Sequence, residues 1–232
     1  TLAGSDTRGS ADGVGGAAQF KDPHGVAVSP DGSVLFVADV GGHRIRRVEV
    51  ATGAVTTVAG SDTEGSADGV GGAAQFCYPR DVAVSPDGST LFVADDGTKL
   101  LVADLDNHKI RRVEVATGEV TTLAGSGTTG SADGVGDAAQ FDCPNGIAIS
   151  PDSSAVFVAD CGNRKIRRVE VATGEVTTLA GGGEGGGTDG VGGAAEFYHP
   201  YGNAIGPDGG ALFVADVTNH KIRRGEVATG EV

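Results

Sequence analysis

The sequence predicts an all-β fold assembled from four copies of one four-stranded unit, and three observations carry that prediction. Short apolar runs recur at a fixed period, turn-forming residues separate them, and no segment sustains the spacing of an amphipathic helix. The period is explicit in Thr1-Leu2-Ala3-Gly4, Thr57-Val58-Ala59-Gly60, Thr122-Leu123-Ala124-Gly125 and Thr178-Leu179-Ala180-Gly181, which start 56, 65 and 56 residues apart. The longer middle interval holds a tandem copy, LFVADDGTK at 91–99 followed by LLVADLDNHK at 100–109, so one Val-Ala-Asp is surplus.

The elements of a unit follow in order. In the third unit, strands are predicted at 146–150, 155–160, 164–171 and 175–181, joined by Pro151-Asp152-Ser153-Ser154, Cys161-Gly162-Asn163 and Ala172-Thr173-Gly174. Pro-Asp-Gly at 30–32, 86–88 and 207–209 supplies the turn chemistry, with Pro fixing φ and Gly accepting a positive one. Four such up-and-down units around an axis describe a β-propeller, for which sixteen short strands are expected. Phe36, Phe92, Phe157 and Phe213 provide bulk between blades, and Phe20, Phe76, Phe141 and Phe197 close the long Gly-rich loops between units. In those loops Asp12, Asp68, Asp133 and Asp189 read as turn-capping residues rather than calcium ligands, because no alternation of oxygen ligands surrounds them.

The chain is read as one domain, 1–232, with repeat units at about 5–60, 61–125, 126–181 and 182–232 plus 1–4. It ends in VATGEV where the other units continue into TTLAG, and Thr1–Gly4 supply TLAG. Joining Glu231-Val232 to Thr1-Leu2 would complete a strand and close a four-bladed ring; the alternative is four blades of a larger propeller. With no Met in the chain, Thr1 is not expected to be the translational start: something upstream was removed or is not included in this sequence. The first residues lack a basic start and an apolar stretch, and no apolar run approaches the length of a spanning helix. With 17 basic against 31 acidic residues the formal charge is −14, which disfavours non-specific binding to nucleic acid or anionic lipid.

At VADLDNHKIRRVEV (102–115), VADCGNRKIRRVEV (158–171) and VADVTNHKIRRGEV (214–227) the sequence resembles NHL-repeat proteins. The resemblance covers all four units; the first departs most, with Gly42 where the others have Asn. It implies a β-propeller, commonly of six blades. The functions it implies range over protein-binding platforms, RNA-binding domains, sensor ectodomains and metal-dependent lyases, and the fold does not choose among them.

Thirteen of the 17 basic residues lie in the third strands. Alternation sends Arg46 and Arg47 to opposite faces, where pairing between blades with Asp39, Asp104, Asp160 and Asp216 and with Glu49, Glu114, Glu170 and Glu226 is expected. Positions that vary among near-identical units are not dictated by blade architecture. They concentrate in the lead-in tetrads, 21–24, 77–80, 142–145 and 198–201, and in the turns from second to third strand. In an up-and-down blade both lie at the same end, and they hold every Tyr, His and Cys of the chain. The residues expected to contact a partner are Lys21, Asp22, His24, His43, Tyr78, Arg80, His108, Asp142, Asn145, Tyr198, His199, Tyr201 and His220.

With three Cys at most one internal disulfide can form; Cys143 with Cys161 is the reasonable pair, and two buried free thiols are the alternative. Such a bridge would favour an oxidising compartment, extracytoplasmic or an organelle lumen. His24, His199, Asp22, Cys77 and Cys143 have side chains suited to zinc, but no ligand spacing is readable across blades, so neither metal nor cofactor is expected. No nucleophile elbow, phosphate loop or paired-carboxylate signature is present. The expected function is a non-enzymatic scaffold binding a protein through one propeller face. The alternatives are a metal- or small-ligand-dependent lyase-like or hydrolase-like site on the axis, and RNA binding.

Overall fold

Branched apolar residues bounded by Pro-Asp turns settle into four antiparallel blades in this computed structural model, which describes residues 1–96 and 107–232. Blade 1 comprises Pro23–Val28, Val34–Asp39, Arg44–Glu49 and Ala54–Gly60, side by side in sequence order. Blade 2 comprises Pro79–Val84, Thr90–Asp95, Lys109–Glu114 and Glu119–Ala124, and blade 3 Pro144–Ile149, Ala155–Asp160, Lys165–Glu170 and Glu175–Ala180. Blade 4 comprises Pro200–Ile205, Ala211–Asp216 and Lys221–Glu226.

Two features depart from the expected sixteen strands. Blades 1 to 3 each gain a two-residue outer strand from the Gly-rich loop, Gly13–Val14, Gly69–Val70 and Gly134–Val135. Among the described residues the blade 4 sheet has three strands, and the chain beyond it makes an isolated bridge, Val191 with Glu231. The duplication at 91–109 falls largely outside the described residues.

The chain divides into two compact units, Thr1–Asn107 with Arg111–Thr122, and His108–Ile110 with Leu123–Val232. In the first, Phe36, Ile45 and Ala59 of blade 1 form one buried cluster with Val82, Leu91, Val93 and Val113 of blade 2. In the second, Phe157, Ile166 and Ala180 of blade 3 do the same with Leu212 and Val214 of blade 4. Each buried Phe or Ile contributes about 1.5–3 kcal/mol, so these seams hold the blades of a unit together. Phe36, Phe92 and Phe157 are 1–2% exposed as expected of residues between blades, but Phe213 is 41% exposed.

Candidate functional site

The end of each blade that carries the variable residues is fixed by one buried aspartate, the last residue of the second strand. Asp39, Asp95, Asp160 and Asp216 are fully buried. One oxygen of each accepts the backbone N–H of the lead-in loop, from Lys21 (2.6 Å), Cys77 (2.7 Å), Asp142 (2.8 Å) and Tyr198 (3.0 Å). The other oxygen accepts from the third-strand arginine, Arg46, Arg111, Arg167 or Arg223, at 2.7–3.3 Å. The same arginine reaches the loop acid Asp12, Asp68, Asp133 or Asp189 at 2.5–2.7 Å. Its guanidinium also lies 5.1–5.4 Å from the ring of Phe20, Phe76, Phe141 or Phe197. The loop, the turn and the third strand are thus tied to one point.

This geometry corrects two expectations. The arginines pair within their own blade and with the loop leading into it, not between blades, because the aspartate and arginine occupy adjacent strands on one face. In blade 2 the partner is Asp95, from the first of the tandem copies, while Asp104 lies outside the described residues. Asn107, Asn163 and Asn219 add a donor to the buried aspartate at 2.5–2.8 Å, and Gly42 deprives Asp39 of it. Burial pushes Asp95 up to about 7 and Asp160 up to about 6, against the pull of the arginine and the other donors. Asp12 and Asp133 sit low: burial would raise them, but hydrogen bonds from Arg46 and Thr57, and from Arg167 and Thr178, prevail.

The expected contact residues divide by unit and by burial. In the first unit Asp22 and His24 are exposed, and Asp22 pairs with Arg8 at 2.6 Å. Lys21 is half-buried with its Nζ 2.7 Å from Asp62, and Arg80 reaches Asp96 at 2.8 Å. Tyr78 is half-buried, edge-on to His43 at 4.7 Å. In the second unit Tyr198 and Tyr201 are 39% and 41% exposed, His220 is exposed, and Asp142 and His199 are half-buried.

Three of the thirteen are interior: His43, His108 and Asn145 are buried and offer no contact surface. The two histidines end the turn in left-handed backbone, and their Nδ1 atoms accept N–H groups of the next lead-in loop, Tyr78 at 3.3 Å and Cys143 at 3.2 Å. The expected Cys143–Cys161 disulfide is not formed; Cys143 Sγ instead turns to Asp142 Oδ1 at 3.3 Å. Among the described residues no three His, Cys, Asp or Glu side chains converge to hold a metal.

Two residues join the surface that the sequence did not single out. Arg164, standing where other blades have His, lies over the Tyr198 ring at 5.4 Å, and Thr218 Oγ1 is 2.5 Å from His199 Nδ1. Tyr198 and His199 also meet edge to face at 5.1 Å. The substitution of Arg164 for His was the available signal.

Repeated antiparallel blades, each tied to its lead-in loop by a buried Asp–Arg pair that reaches a loop aspartate, define this protein as an NHL-repeat β-propeller. It belongs to the Teneurin NHL domain family, whose profile matches residues 4–226. It is 29% identical over 243 residues to the chloroplastic protein SUPPRESSOR OF QUENCHING 1 of Arabidopsis thaliana, covering 100% of this chain and 22% of that protein. Identity to human NHL repeat-containing protein 2 is 31% over 172 residues, 70% of this chain and 22% of the relative. Among solved structures, an auxiliary nutrient binding protein from Bacteroides ovatus superposes with a TM-score of 0.68 at 23% identity, over 89% of this chain and 48% of that one. The chain therefore spans about a fifth of these curated relatives. Among the described residues no helix is long and apolar enough to cross a membrane.

Proposed function

We propose that the chain is a non-enzymatic interaction module that takes a protein partner on the end of the blades carrying the lead-in loops and the second-to-third-strand turns. The NHL propeller fold serves generally as an interaction or scaffold module, and the identity of the surface is the finer step. The observation that carries it is the contrast between frame and surface. The buried aspartate, its arginine and the loop acid recur in every blade, whereas the residues they hold outward differ from blade to blade. In the second unit that surface presents Tyr198 and Tyr201 with Arg164, His199 and Thr218 around Tyr198. Rigid amphipathic rings beside an arginine are what protein contacts use as anchors.

The test is retrieval of partners from an extract of the source organism with tagged chain, quantified by mass analysis. The Tyr198→Ala/Tyr201→Ala variant is expected to lose the partner about tenfold or more while keeping the wild-type melting midpoint. Undiminished retention by the folded variant overturns the assignment of this surface.

A further inference from the structure

The turns from first to second strand lie at the end of the blades opposite the lead-in loops, and there each unit carries a cleft. It opens between this turn in one blade and the same turn in the next. In the first unit its volume is about 370 Å³, with Asp31, Phe36 and Arg47 of blade 1 and Asp87, Gly88 and Val115 of blade 2 in its walls. In the second it is about 290 Å³, and the same six positions are taken by Asp152, Phe157 and Arg168 of blade 3 and Asp208, Gly209 and Val227 of blade 4.

The local sequence explains this shape. Gly88 and Gly209 both have a φ of +75°, and a Cβ on either would press on the ring of Pro30 or Pro151 at 3.3 Å. Glycine therefore lets the second turn lean on the proline of the first, so that two aspartates, one from each blade, share one cleft. The rest of the wall is apolar. Phe36 and Phe157 are buried in the seams between blades, and Val115 and Val227 are half-buried.

The charge of the cleft is unbalanced. Arg47 pairs with Glu49 and Arg168 with Glu170, so each arginine is neutralised within its own strand. The aspartates have neutral donors only. Asp31 accepts from Ser29 and Ser33, Asp87 from Ser85 and Ser89, Asp152 from Ser150 and Ser154, and Asp208 from the N–H of Gly210. All four are exposed, and among the described residues no cation pairs with them, unlike the loop acids Asp12, Asp68, Asp133 and Asp189, which each hold an arginine. The serine hydrogen bonds hold Asp31, Asp87 and Asp152 at about 2, so these three are fully charged at neutral pH.

From this we infer that each cleft takes one lysine or arginine side chain from a basic segment of a protein partner, its methylenes along the Phe and Val wall and its cationic head between the two aspartates. Such a side chain has an apolar stem and a charged tip, which is the order in which the cleft offers apolar wall and acid. The clefts lie at the low end of the volumes that enclose a small molecule, and they open to solvent, which suits a single side chain delivered by a partner. The net charge of −14 steers a basic segment toward the chain. This contact is separate from the lead-in surface and stands whether or not that surface binds.

NMR titration of the folded chain with acetyl-Gly-Arg-Gly-amide at low salt tests it. Shifts are expected to concentrate at 29–36, 87–88, 150–157 and 208–209. Asp31→Asn/Asp87→Asn/Asp152→Asn/Asp208→Asn should weaken binding at least about tenfold. Asparagine keeps the side-chain acceptor of the turn, and circular dichroism should show the variant folded. Glu64→Gln/Glu119→Gln/Glu175→Gln/Glu184→Gln removes the same four charges from exposed positions outside the clefts, and should change affinity less than about twofold. Ser33→Trp/Ser154→Trp, which fills both clefts and leaves the charge intact, should reproduce the tenfold loss. Equal losses in the two four-charge variants overturn the proposal, as do shifts spread over the whole surface or none at about 20 mM peptide. Equal affinity for methylguanidinium, which has the head without the stem, overturns the assigned occupant.

Discussion

A guanidinium can be buried only where its charge and nearly all its donors are answered, and Arg167 shows how a blade does this. Its two terminal nitrogens donate to Gln140 O and Asp160 and to Ala132 O and Asp133, all at 2.6–2.9 Å, and Nε alone has no partner. Arg168, one residue on and facing the other way, is partly exposed and pairs with Glu170. Arg167→Ala is therefore expected to cost about 3–5 kcal/mol, because it strands a buried carboxylate. Arg168→Ala should cost under about 1 kcal/mol. Urea unfolding of both variants checks the contrast, and equal losses would contradict the role given to the buried chain. The sequence revealed that two adjacent arginines face opposite ways, since strand alternation requires it. It could not reveal which acid each meets, because Asp12 and Asp133 arrive from loops more than thirty residues away. The same limit hid the burial of His43 and His108: a turn histidine looks identical whether its ring faces water or the next loop.

At the scale of single elements, the turn after the first strand behaves as a small independent device. Asp87 accepts from Ser85 and from the backbone and hydroxyl of Ser89, and these bonds hold it at about 2, led by the one from Ser85. Ser85→Ala should move its titration, followed by carboxyl NMR, upward toward the ordinary value of about 4; an unmoved midpoint would show that the backbone bond alone suffices. The third strand of blade 4 offers a second test. Gly225 replaces the valine found at Val48, Val113 and Val169, and beside it lies a small apolar recess of about 10 Å³ lined by Leu179, Phe197, Leu212, Val214 and Val232. A Cβ there would make only ordinary contacts, the nearest with Glu231 O at 3.5 Å. Gly225→Val should raise stability by about 1 kcal/mol, through apolar contact and a stiffer unfolded chain, measured as a higher urea midpoint. The departure from valine is legible in the repeats themselves, as are the strands and turns. The incomplete sheet of blade 4 was readable as a missing TTLAG, but its exposed Ile222 was not, because burial depends on what lies across a face.

Across the whole molecule, carboxylates displaced in opposite directions set the dependence of stability on pH. Asp31, Asp62, Asp87 and Asp152 are held at about 2 by hydrogen bonds from Ser29, Lys21, Ser85 and Ser150, each the leading cause at its site. Asp95 and Asp160 are pushed up to about 7 and about 6 by burial, and Asp39 is raised for the same reason. Between about pH 2 and 4 the unfolded chain binds more protons than the folded one at the first group, so stability rises with pH. Between about 4 and 7 the folded state retains protons on the second group that the unfolded chain has released, so stability falls as pH rises through their folded values. The accumulating negative charge, −14 at neutrality, acts in the same direction by self-repulsion. The chain should therefore be most stable near about pH 4, below the range usual for globular proteins. Urea midpoints measured from about pH 2.5 to 8 decide it: a maximum near 4 followed by a decline is expected, and a rise continuing to neutrality would mean that the buried aspartates ionise at no cost beside their arginines.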